Sequence, residues 1–203
     1  MRRRTFDALM TTAGLVLAVV LAIAGGLGVW AHHFAENNVH SQLAQQQVFF
    51  PDKAGIAAEH NADITKYVTP YAGQQVVNGQ QAEVYANHFI ANHLKEIGQG
   101  KTYSQVSEKF LTMKPSDPGY AAVATERQEL FMGETLRGLL LNAYAFGTLG
   151  QIAGVAAIVC FAFAALFLVL SGLGYWHLRK ASPDAELLPN LGSSSPAPAG
   201  AEA

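Results

Sequence analysis

The sequence predicts an all-α membrane protein in which two transmembrane helices flank a small helical extracytoplasmic domain. Two observations carry that prediction. Between Ala8 and Trp176 every Asp, Glu, Lys and Arg falls within Glu36–Arg137, so Ala8–Ala31 and Gly138–Trp176 contain none of them. The basic residues nearest the chain ends lie beyond those stretches, with Arg2, Arg3 and Arg4 before the first and Arg179 and Lys180 after the second.

Residues 1–7 read as a cytoplasmic N-terminus and 8–31 as the first transmembrane helix. Its 24 residues rise about 36 Å, enough to cross a hydrocarbon core of roughly 30 Å with some tilt. A cleaved signal peptide has a shorter apolar core and a small-x-small exit, whereas this run leaves through Trp30, His32 and His33. The 39 residues of Gly138–Trp176 exceed one crossing. The second span is therefore placed at 152–176, after Asn142, Thr148 and Gln151. Basic flanks put both termini in the cytoplasm and 32–151 outside, at the plasma (inner) membrane, because the outer flanks hold only Arg137. Trp30, Tyr175 and Trp176 occupy interfacial positions.

The outer segment, 32–151, begins as a helical stalk continuing the first span to about Val48, before Phe49-Phe50-Pro51 breaks it. One short helix is expected around Ala57–Val68. A clearer one covers Gln80–Ile97, started by Asn78 and stopped by Gly98, with Ala82, Tyr85, Phe89, Ile90, His93, Leu94 and Ile97 on its apolar stripe. Thr102 and Gln105 have capping-box spacing for a helix ending by Lys114, before Pro115. Asp117-Pro118 then predicts the start of a nearly continuous helix to about Leu178. Residues 177–203 form the cytoplasmic tail, Pro-, Ser- and Ala-rich and predicted to be disordered.

Gly147, Gly150 and Gly154 share one helix face, and small residues on such a face permit close helix approach. Ala18, Ala22 and Gly25 form a similar face on the first span, and the two faces are expected to pack, within or between chains. His33, Glu36 and His40 lie at i, i+3 and i+7 on the stalk and are the metal-ligand candidates. His88 and His93 are five apart and too far around a helix to chelate together; His93 is expected in the domain core and His88 at its edge.

The Glu36–Arg137 segment holds eleven acids and eight bases without a basic cluster, which argues against nucleic acid as a partner. The single cysteine, Cys160, lies in the second span, so the outer segment has no disulfide. No nucleophile elbow, P-loop or dinucleotide fingerprint occurs, and no cofactor is expected.

MRRRTFDALM, NNVHSQLAQQQVFFP, and GETLRGLLLNAYAFGTLGQIA with the closing WHLRK resemble an actinobacterial family of two-span membrane proteins without established activity. The resemblance covers most of Met1–Lys180 and is weakest in the middle of the outer segment and in the tail. It carries no functional motif. Some members bear an automatic label of aromatic ring-opening dioxygenase, a chemistry that needs iron held by histidine and carboxylate beside a substrate pocket. Only the stalk trio offers such ligands, and the label is not carried over. The expectation is a membrane-anchored accessory or interaction subunit of a cell-envelope assembly, without catalysis of its own, whose partners are the bilayer and another membrane protein or further copies of itself. The alternatives are an extracytoplasmic ligand-binding or sensor module, with a pocket beside Gln80–Ile97, and a metal-dependent enzyme using His33, Glu36 and His40.

Overall fold

The computed structural model describes residues 3–180, and among these the chain is helical with no strand. The expected disordered tail, from 181 on, lies outside the described residues. Two helices dominate, α1 (Arg3–Gln46) and α7 (Tyr120–Lys180), with 44 and 61 residues. Shorter helices lie between them: α2 (Lys53–Ala58), α3 (Ala62–Val68), α4 (Gly79–Val84), α5 (Ala91–Ile97) and α6 (Tyr103–Thr112). The chain divides into two compact units, one formed by the segments up to Leu27 and from Ala156, the other by Gly28–Val155.

In the first unit the α1 and α7 segments run antiparallel. A Cβ on Gly14 would sit 2.5 Å from Ser171 Oγ, and one on Gly25 would sit 3.0 Å from the Phe161 ring. Ala18, Ala157 and Ala164 are buried, because only small side chains fit where the backbones come this close. Ala22 is exposed. Large apolar side chains such as Ile23, Leu27, Ile158 and Val169 face outward.

The second unit holds a hydrophobic core that draws Val39 and Leu43 from α1, Ile64 and Val68 from α3, and Leu130 and Leu140 from α7. α1 stops at Gln46, slightly short of Val48, where Gln47 takes a φ of 51°. The side-chain amide of Gln75 donates to the Ala44 carbonyl at 2.8 Å, an oxygen that also accepts from the Gln47 N–H at 3.3 Å. The helix expected around Ala57–Val68 is instead two helices, α2 and α3. His60, at a φ of 49°, breaks the run, and Asn61 caps α3 through bonds from the Asp63 and Ile64 N–H groups.

Asn78 caps α4 by accepting from the Gln81 N–H at 2.9 Å. The helix then passes through a π segment, Tyr85–Ile90, before α5. In this wider turn the carbonyls of His88 and Phe89 are bonded at 2.8 Å by the side chains of Asn92 and His93. Thr102 and Gln105 form the reciprocal capping box of α6. The start of α7 differs from the Asp117-Pro118 reading. Gly119 has a φ of 84°, outside any helix, so Pro118 lies in the preceding turn and α7 begins at Tyr120. The Asp117 carboxylate accepts instead from the Lys114 N–H at 2.7 Å.

Candidate functional site

Within the Gly28–Val155 unit, α1 turns His32, Ala35 and Val39 toward the interior of that unit while His33, Glu36 and His40 face solvent. The period of three and four residues that turns the first set inward exposes the second. Of the metal candidates, His33 and Glu36 come together and His40 does not join them. The third member is His32, and the potential ligand atoms of His32, His33 and Glu36 all lie within 4.8 Å of one another. His32 Nε2 is 3.4 Å from Glu36 Oε2, and the rings of His32 and His33 are 5.3 Å apart.

His32 is held from the other side by α7. Its Nδ1 lies 2.9 Å from the Gly150 carbonyl oxygen. A Cβ on Gly154 would stand 3.0 Å from the same ring, and one on Gly150 would stand 2.8 Å from Ala35 Cβ. Gly147 faces Gly79, where a Cβ would meet the Gly79 Cα at 3.3 Å. Within this unit the glycine face therefore packs at close approach, against Gly79, Ala35 and His32. The reason is antiparallel register. Glycines that precede the most apolar part of α7 meet α1 residues that follow its apolar stretch. The sequence alone does not single out His32, because it stands at the exit of a predicted span, although its i, i+4 spacing to Glu36 is an available signal.

Two further histidine–carboxylate pairs tie the π segment and α5 to the α2–α3 region. His88 Nδ1 is 3.0 Å from Asp63 Oδ2 and its ring stacks on Tyr67 at 3.8 Å, while His93 Nε2 is 3.2 Å from Glu59 Oε2. The bond from His88, followed by that from Asn92, holds the Asp63 carboxyl below its ordinary value. Burial raises the Tyr85 phenol, which packs against Phe50 and Phe89. His88 and His93 are both partly buried, and they serve two separate pairs rather than one site.

A groove of about 340 Å³ lies between α1 and α7 in this unit, with Phe34, Asn38 and Gln42 on one wall and Leu139, Asn142 and Phe146 on the other. Beside α4, a more polar set of side chains, Gln80, Glu83, Thr148 and Gln151, surrounds a hollow of about 360 Å³. Neither contains a nucleophile paired with a base. No family model, curated protein or solved structure matches the chain.

Proposed function

We propose that the protein is a two-pass membrane-anchored accessory or interaction subunit of a cell-envelope assembly, with both termini cytoplasmic and 32–151 extracytoplasmic. One observation carries the reading. In the most apolar windows of α1 and α7 only 11% of residues are buried, so neither behaves as the core helix of a soluble protein, which would be mostly covered. Side chains such as Leu27, Val155 and Ile158 remain exposed, and lipid or a partner must cover them. A charge near the middle of such a window would cost about 2.5–3.5 kcal/mol on insertion, and the windows avoid that cost. α1 and α7 are about 66 Å and about 92 Å long at helical rise, so each extends beyond a hydrocarbon core of roughly 30 Å.

The α1–α7 groove supplies the interaction surface in this reading. Phe34 and Phe146, both more than half exposed, line it together with the amides of Asn38, Gln42 and Asn142, a mix of apolar anchors and polar groups that suits another protein. The test is purification of the full-length chain from membranes in a gentle detergent, with mass spectrometry of what accompanies it. A stoichiometric partner or second copy, lost in a Phe34→Ala/Phe146→Ala variant that still reaches the membrane, is the expected result. A chain that fractionates away from membranes, or purifies alone as a monomer, overturns the proposal.

A further inference from the structure

We propose that His32, His33 and Glu36 form a binding site for one divalent transition-metal ion of zinc-like ligand preference. His32 Nδ1 lies 2.9 Å from the Gly150 carbonyl oxygen. A carbonyl only accepts, so this bond requires the proton on Nδ1. In the neutral ring Nε2 then carries a lone pair, and it lies 3.4 Å from Glu36 Oε2, which is also an acceptor. Two facing acceptors repel unless a proton or a cation stands between them. The His33 imidazole, within 4.8 Å of both, adds a third donor atom and turns the pair into a chelate.

The surroundings of His32 match what a metal-bound imidazole needs. Its second ring nitrogen is anchored on a backbone carbonyl, the outer support that fixes tautomer and ring orientation at such sites. Gly154 provides the space for the ring, since a Cβ there would approach Nδ1 to 3.0 Å. The imidazole is thus oriented by packing rather than by the ion. Two imidazoles and one carboxylate favour Zn²⁺ and its neighbours over Mg²⁺ or Ca²⁺, which prefer oxygen ligands. His33 and Glu36 are exposed, so the remaining coordination positions open to water.

The experiment is calorimetric titration of the full-length, tag-free protein in mild detergent with Zn²⁺, in the presence of excess Mg²⁺. One Zn²⁺ per chain is expected. His33→Ala and Glu36→Gln should each weaken binding at least about tenfold, Gly154→Leu should weaken it by displacing His32, and His40→Ala should leave it unchanged. A readout that needs no variant is NMR of histidine-labelled wild-type protein, where Zn²⁺ should shift two of the seven imidazoles strongly. Absence of stoichiometric binding overturns the proposal. Binding that survives loss of both His33 and Glu36, or shifts at other histidines, overturns it equally.

Discussion

Asp63 joins parts of the chain that no local pattern connects. Its carboxylate accepts from His88, 25 positions on, and from Asn92, 29 positions on. These bonds hold its carboxyl below the usual value near 3.8. A depressed folded-state value means that the unfolded chain takes up the proton first. The stabilisation is therefore complete above the unfolded value and is lost as pH falls through the folded one. The Asp63 side chain is 43% exposed, so the contribution is held to about 1 kcal/mol or less. Asp63→Asn should lower the thermal midpoint at pH 7 by about 2–4 °C at most, and the two melting curves should converge as pH falls below the ordinary carboxylate range. A constant offset across that range would mean that charge plays no part. Residues at this scale divide cleanly in how far they are legible. Asn78 and the Thr102–Gln105 box act within four positions and are readable from spacing alone. The His88–Asp63 and His93–Glu59 pairs depend on how α3, the π segment and α5 fold together, and spacing along the chain holds no trace of that.

Among the helices, composition is readable from the sequence and register is not. The apolar stretches of α1 and α7 stand out because charge is missing from them. A face of small residues, by contrast, accepts many partners, and Ala18, Ala22 and Gly25 look as suitable for Gly150 as Ala35 is. Breaks governed by backbone sign are also hidden. His60 and Gly119 adopt positive φ, and only the glycine advertises that capacity. The packed register makes opposite predictions for two glycines of one helix. At Gly138 an added methyl would have nothing within 4 Å, so Gly138→Ala should gain helix propensity worth up to about 1 kcal/mol. At Gly150 the same methyl would lie 2.8 Å from Ala35 Cβ, and overpacking there should cost about 1–3 kcal/mol, outweighing the propensity gain. Thermal unfolding in detergent should show the first variant melting above wild type and the second below. Equal shifts would mean that α1 and α7 do not meet in this register.

For the whole molecule, the distribution of charge decides which side of a membrane each segment faces in the proposed topology. Arg2, Arg3 and Arg4 stand at one end and Arg179 and Lys180 at the other, whereas the flanks facing the outer segment carry only Arg137. Basic residues close to a span are retained in the cytoplasm, and acidic residues contribute little to orientation, so the net charge of −2 is not the relevant quantity. Arg137 does not compete with the terminal clusters. It lies well before Ile152, where the expected span begins, and its guanidinium is engaged by Glu134 and by Asn87 at 3.4 and 3.1 Å. A reporter active only outside the cytoplasm should therefore work when fused after Gly79 and fail when fused after Arg179. Replacing Arg2, Arg3 and Arg4 together should reduce the first signal, because it removes the retention cue nearest the first span. The reverse pattern would place His32, His33 and Glu36 on the cytoplasmic side. A signal from both fusions would mean that the second apolar stretch is not inserted, leaving α7 to cover its exposed Val155 and Ile158 against protein rather than lipid.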